Sequence, residues 1–321
     1  MMKLANKLLL SSLVAAAFSA QAADPVTVYG KLNVTVQNNN VQGENSATIQ
    51  SNASRLGVKG DFEISSGLEA FYTIEYEVDT GSSAKENFKA RNQFVGLRGG
   101  FGSVMLGRND TMLKKSQGKV DQFNDIAGDL KNLFKGEVRA EQTVTYMTPE
   151  FSGLSAGVTW VGENSNKQID AVKGETVNGF SAAVMYGDSG LKKTPIYAGL
   201  AYDNTVQGYD IVRGTVHGKI AGFKLGGMYQ QQEQNDSLND DGSVKKNQSD
   251  KGYLLSAAYG IDKVTLKAQY QDMERKGKAA SVGADYKLAK PTKLFAFYTQ
   301  RDLEEATKKD NYFGIGLEHK F

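Results

Sequence analysis

From residue 25 onward the chain alternates apolar and polar residues with a period of two, in segment after segment. In 26–36, Val26, Val28, Leu32, Val34 and Val36 share one face, while Thr27, Lys31, Asn33 and Thr35 share the other. Leu56, Val58, Phe62 and Ile64 oppose Arg55, Lys59, Asp61 and Glu63 in the same way, and Leu68, Ala70, Tyr72, Ile74, Tyr76 and Val78 oppose Glu69, Thr73, Glu75 and Glu77. Val264, Leu266, Ala268 and Tyr270 repeat the pattern against Lys263, Thr265, Lys267 and Gln269. This is the signature of β-strands that are wet on one side.

Sixteen such segments can be marked, near 25–36, 54–64, 67–78, 90–98, 101–108, 139–148, 153–161, 176–186, 195–203, 208–220, 222–233, 251–260, 262–273, 277–288, 291–301 and 311–321. A tilted strand crosses a bilayer in roughly 9–11 residues, and most of these segments match that length. Tight links (Ser65-Ser66, Gly99-Gly100, Glu150 to Ser152, Ala221, Ile261, Ala289-Lys290) alternate with long ones at 37–53, 109–138, 162–175 and 234–250. Short turns at one end and long loops at the other predict an all-β fold, a closed 16-stranded antiparallel transmembrane β-barrel. An even strand count puts both termini at the same, periplasmic, end and leaves no open sheet edge. Aromatics near strand ends (Tyr29, Tyr76, Tyr146, Trp160, Tyr186, Tyr259, Tyr298) are expected to form interfacial girdles.

The first 22 residues obey a different rule. Lys3 and Lys7 precede an apolar run from Leu8 to Phe18 and a small-x-small site at Ala20 to Ala22, which predicts a secretory signal peptide and a mature barrel over 23–321. The run is too short to span a bilayer as a helix. Removal of Lys3 and Lys7 takes 38 basic residues to 36, against 36 acidic ones, so the mature chain has no net charge with which to draw nucleic acid. With no cysteine and two histidines, disulfides and thiolate metal sites are excluded, and neither a metal nor a cofactor is expected. The negative mean hydropathy, −0.43, is what a barrel with every second residue in water requires.

Other motifs carry little chemistry. The run GGFGSVMLG around Gly100 and Gly102 lacks the third glycine and the helix of a dinucleotide site, and reads as a hairpin turn. Asn239, Asp240, Asp241 and Gly242 lack the spaced acids and final Glu of a calcium loop. His217 and His319 have no nucleophile or acid at catalytic spacing, so an outer-membrane enzyme is the minor alternative. A soluble β-sandwich or adhesin would need shorter strands and a closed core between two sheets. A substrate-selective channel is the nearer rival.

The 30-residue connection 109–138 is too long for an ordinary turn. Its acids Asp121, Asp125 and Asp129 recur every fourth residue and would share a face if this piece is helical. On the strands, alternation points Lys31, Arg55, Arg91 and Arg139 inward.

The stretches VTVYGKLN, SRLGVKGDFEISSGLEAFYTIEYE, RNQFVGLRGGFGSVMLGRND, YMTPEFSGLSAGVTW, ASVGADYKLAKPTKLFAFYT and GIGLEHKF, in this order, resemble the general trimeric porins of Gram-negative outer membranes. The resemblance implies a homotrimer in outer-membrane lipid, each barrel passing ions and small hydrophilic solutes, with 109–138 as an inward-folded third loop and Phe321 as an assembly signal. It places the basic side of the pore constriction on Lys31, Arg55, Arg91 and Arg139, the acidic side on Asp121 and Asp125, and the trimer contact on the first few strands. Asp129, Glu137 and the loop lysines Lys114, Lys115, Lys119, Lys131 and Lys135 are expected to be solvated. Five lysines and five acids in the loop, facing four basic wall residues, favour mixed or slightly anion-preferring conduction.

Overall fold

The computed structural model describes residues 26–81, 87–163, 168–169, 176–238 and 243–321; the expected signal peptide, 1–22, and Asn239 to Gly242 lie outside them. Its sixteen barrel strands are β1 (Thr27–Val41), β2 in two pieces (Glu44–Ser51 and Arg55–Ser65), β3 (Leu68–Val78), β4 (Phe88–Gly99), β5 (Gly102–Asp110), β6 (Arg139–Met147), β7 (Leu154–Val161) and β8 (Gly179–Tyr186). They continue as β9 (Ile196–Val206), β10 (Tyr209–Ile220), β11 (Phe223–Gln234), β12 (Ser249–Ile261), β13 (Val264–Met273), β14 (Gly277–Lys287), β15 (Thr292–Leu303) and β16 (Asp310–Lys320). Each pairs antiparallel with its chain neighbours, and β16 pairs with β1 from Lys31↔Lys320 to Asn40↔Asn311, which closes the sheet. Every predicted strand has its counterpart.

The closing seam reaches the C-terminus. Gly30 N–H donates to the Phe321 carbonyl at 2.9 Å and Phe321 N–H to the Gly30 carbonyl at 3.2 Å. The Phe321 ring lies over Gly30 so closely that a Cβ there would sit 2.3 Å from its Cζ and 2.8 Å from the Arg55 carbonyl oxygen, so any larger residue would push the ring off the seam.

Alternation survives as an inside-out distribution. Outward residues such as Val36, Leu200, Val216, Leu255 and Ile315 are each more than half exposed, whereas inward Thr35, Thr145, Thr159 and Thr299 are wholly buried. So large an apolar surface on the outside of a closed barrel is a lipid-facing belt. Tyr76, Tyr146, Trp160, Tyr186 and Tyr298 lie on it. Tyr29 does not: it has the phase of Lys31, and its hydroxyl donates to Glu75 Oε2 at 3.1 Å.

The connections correct one expectation. Residues 37–53 are not a loop, because β1 and β2 run on to a two-residue turn at Gln42 (φ 51°) and Gly43 (φ 89°). The extension is rich in Asn, Gln and Ser on both faces, so it carries no period-two signal even though its backbone is a regular ladder. Gln207 (φ 49°) and Gly208 (φ 81°) form a second such turn at the same end. Long and tight loops therefore mix at the end opposite the termini.

Charge on the lipid face is expected to be the costly kind. Leu200→Arg should weaken refolding into lipid vesicles by about 2–4 kcal/mol in a urea titration, as for a basic residue near the bilayer midplane. The same change at Thr73, partly exposed on the lumen face beside Glu75, should cost far less; equal losses would contradict the assignment of faces.

Candidate functional site

The loop between β5 and β6 enters the barrel and packs against the inner wall of β8 to β15. It does so because it carries its own apolar residues. Met112 and Leu113, on α1 (Met112–Ser116), sit among Ala183, Met185, Tyr197, Ala201 and Ile211. Val120, Leu130, Leu133 and Phe134 pack on Met228, Leu254, Met273 and Ala279, and Phe123 on Phe295 and Phe297. The apolar core of this protein thus lies inside the lumen, between loop and wall.

Polar wall residues satisfy the loop backbone, which a buried irregular segment requires. Ser181 Oγ accepts from Leu113 N–H (2.9 Å), Ser256 Oγ donates to the Val120 carbonyl (2.6 Å), and Gln269 accepts from Gln122 N–H (2.8 Å) while donating to Gly128 (3.0 Å). Arg301 holds the Ala127 carbonyl. Arg213, on β10, has no exposed surface and binds both ends of the loop. It donates to the Lys135 carbonyl (2.9 Å), Glu137 Oε1 (2.7 Å), Gln230 Oε1 (2.7 Å) and, more weakly, the Leu113 carbonyl (3.5 Å). Pattern reading missed it, since a lone arginine on a strand is indistinguishable from any lumen charge.

The acids of the loop divide by role. The piece 121–129 is not helical, so their spacing does not put them on one face. The Asp121 carboxylate turns into the loop and accepts from Phe123 N–H (2.8 Å) and Leu130 N–H (2.9 Å). Burial, reinforced by nearby Asp129, pushes its carboxyl up. Asp129, expected in solvent, is 2% exposed and accepts from Asp125 N–H and Lys131 N–H. Asp125, at φ 69°, points the other way.

Asp125 reaches across the lumen. Its Oδ2 lies 2.7 Å from Lys31 Nζ on β1 and 2.8 Å from Arg55 Nη2 on β2. Burial alone would raise this carboxyl, but Lys31 and Arg55 outweigh burial and hold it below its usual value. Arg55 follows the break in β2, where Ala53 (φ 50°) interrupts the ladder and its carbonyl accepts from Arg55 Nε at 3.2 Å. Such a bulge re-aims the next side chain.

Arg91 and Arg139 line the same opening, each with a partner. Arg91 pairs with Glu75 (2.6 Å) and Glu77 (3.0 Å), and Arg139 with Asp110 (3.0 Å), which also binds Lys114 (3.0 Å). Glu75, Glu77 and Asp110 were not among the expected site residues. The signal was present for two of them: Glu75 and Glu77 share the polar face of β3, and Arg55↔Glu77 is a direct cross-strand pair. Of the six expected residues, Lys31, Arg55 and Asp125 come together, Arg91 and Arg139 stand on the adjoining wall, and Asp121 is turned away.

Two water-accessible cavities meet at this level. One of about 590 Å³, toward the end opposite the termini, includes Arg55, Glu75, Arg91, Arg139 and Asp125; the other, about 430 Å³, lies toward the termini and includes Lys31, Asp125, Lys267 and Lys293. Gln117, Asn124 and Asp125 border both.

Two outcomes are expected. Arg213→Met leaves Glu137 without its donor and the Lys135 carbonyl with Gln230 Nε2 (3.0 Å) alone, and losing one partner of a buried pair costs about 3–5 kcal/mol. In planar-bilayer recordings its current should be noisier and close at lower voltage; quiet, wild-type traces would show that Arg213 does not hold the loop. Burial lowers the Lys115 ammonium of the loop to about 8. Raising the pH from about 7 to 9 should therefore remove one loop cation and lower the anion-to-cation permeability ratio. Lys115→Gln should abolish that shift in reversal potential.

Comparison with known proteins places this geometry in context. A family model described as Gram-negative porin matches residues 10–306. The major outer membrane protein P.IB of Neisseria meningitidis is 27% identical over 97% of this chain and 99% of its own length. Outer membrane porin protein 32 of Delftia acidovorans is 27% identical over 92% and 90%. Among solved structures, the anion-selective porin from Comamonas acidovorans superposes with a TM-score of 0.70 at 21% identity, covering 93% of this chain and all of that one. The Salmonella typhi OmpF complex with daunomycin gives 0.71 at 17% identity, covering 93% and 98%.

Proposed function

Since the chain belongs to the Gram-negative porin family and forms a diffusion channel in the outer membrane, we propose that ions and small hydrophilic solutes cross it between the inward-folded loop and the wall of β1 to β6. The observation that carries this reading is the bridge from Asp125 of the loop to Lys31 and Arg55 of that wall. The other side of the loop is sealed by apolar packing, including Phe123 on Phe295 and Phe297, which leaves the charged side as the wet one.

Lys31, Arg55, Arg91 and Arg139 form the basic side of the constriction. Asp125, Glu75, Glu77 and Asp110 face or neutralise them, and Asp121 supports the loop from within. A transverse field of this kind orients dipolar solutes and sorts ions by sign. Because the acids pair with the wall arginines, selectivity is weak, with a slight preference for anions. The chain acts as a channel rather than an enzyme, assembles as a homotrimer, and loses residues 1–22 before the 23–321 barrel inserts.

Conductance in a planar bilayer tests the reading. Asp125→Asn should release Lys31 and Arg55 and move the reversal potential toward anions, whereas Arg55→Glu or Arg139→Glu should move it toward cations. No change with any of the three would remove these residues from the narrow section, and absence of conductance in the native protein would overturn the channel itself.

A further inference from the structure

The basic residues of the lumen are not spread evenly along its axis. The cavity opposite the termini holds Arg55, Arg91, Lys114, Lys131 and Arg139 with six acids, Glu75, Glu77, Asp110, Asp125, Asp129 and Glu137. The cavity on the terminus side is different. Together with an adjoining pocket of about 250 Å³ at its mouth, with which it shares Asp285, Lys293, Glu318 and Lys320, it is lined by nine lysines and four acids.

Three of those acids are already occupied by four of the lysines. Lys31 sits on Asp125, which Arg55 shares; Lys267 (2.8 Å) and Lys293 (2.9 Å) share Asp285; Lys320 pairs with Glu318 at 3.3 Å. The fourth acid, Asp121, is held by loop backbone. Lys119, Lys224, Lys263, Lys287 and Lys290 have no carboxylate partner among the described residues. They belong to the loop, the start of β11, the β12–β13 turn, the end of β14 and the β14–β15 turn, so they form an arc around one side of the mouth.

A second feature lies in the same cavity. His217, 6% exposed, has its Nε2 2.9 Å from the Ser189 carbonyl and therefore carries its proton there. Its Nδ1 is buried with no partner among the described residues and is left as an acceptor. A ligand that presents several negative oxygens matches the lysines, while the buried Nδ1 of His217 is closed off from the cavity.

We propose that the terminus-side mouth is a binding site for small multivalent oxyanions, of the polyphosphate or polycarboxylate type, and that such anions occupy and block the pore from that side. The proposal rests on the channel reading above but not on the sign of its selectivity in simple salt. A cleft lined by one sign of charge concentrates its counter-ions by about 10-fold or more, in a manner that falls with ionic strength. Monovalent anions pass such a mouth, whereas a multivalent anion engages several ammonium groups at once.

The test uses single channels in dilute potassium chloride with pyrophosphate, and separately citrate, added to one side. The chain has no cysteine, so Gln42→Cys in the turn opposite the termini, coupled to an impermeant thiol reagent, reports orientation. From the terminus side, both anions should block at concentrations about tenfold lower than from the other side. The combined change Lys119→Gln, Lys224→Gln, Lys287→Gln should abolish the difference, and Lys251→Gln, at the opposite end, should retain it. Equal block from both sides, no block in a normally conducting native channel, or unchanged asymmetry in the triple variant would each overturn the proposal. A native protein that does not conduct would instead overturn the channel reading.

Discussion

Within a bilayer no backbone amide or carbonyl can be left without a partner, and the remainder of this molecule follows from the way that demand is met. Sixteen strands pair in chain order, and the ladder from Lys31↔Lys320 to Asn40↔Asn311 joins the last to the first. Closure gives every strand one face toward lipid and one toward water. The near-balanced charge, 38 basic against 36 acidic residues, and the low hydropathy of the sequence are consequences of that division, with aliphatic residues such as Leu200 and Ile315 outside and Thr, Asn and Gln inside.

Closure also creates a problem that the lumen solves. A barrel of this size has no core of its own, so the loop after β5 supplies one half of it and the wall of β8 to β15 the other. Buried glutamines, serines and arginines on that wall satisfy the loop backbone, and Arg213 ties the two ends of the loop together. With one side of the loop fixed, Asp125 is presented to β1 and β2, and the charged gap is left on the remaining wall. The position of the charged gap is thus set by apolar packing on the side away from it.

Period two was sufficient to find all sixteen strands and the inward phase of Lys31 and Arg55, because both depend only on residue-to-residue alternation. Alternation does not account for Arg91, which shares the phase of outward Val95 and Leu97 and is turned inward by a register shift in β4, nor for Arg139, which a similar shift in β6 separates from Val144. It failed at 37–53, where solvent bathes both faces and nothing forces the residues to alternate. It also failed inside the loop. There the direction of Asp121, Asp125 and Asp129 depends on local turns and backbone hydrogen bonds, not on a helical repeat, so three equally spaced acids acquire three different surroundings. Pairings such as Arg91 with Glu75 and Glu77 need the strand register, which alternation does not supply.

The central claim is that water and ions pass on the charged side of the loop and not behind it. Thiol modification in a chain free of native cysteine measures this directly. Asn92→Cys on the charged wall should react rapidly with a charged, membrane-impermeant thiosulfonate and change the single-channel current, while Ala279→Cys, buried at 3% exposure behind the loop, should not react. Rapid modification at Ala279→Cys with an inert Asn92→Cys would place the conduction path on the wrong side of the loop and contradict the account.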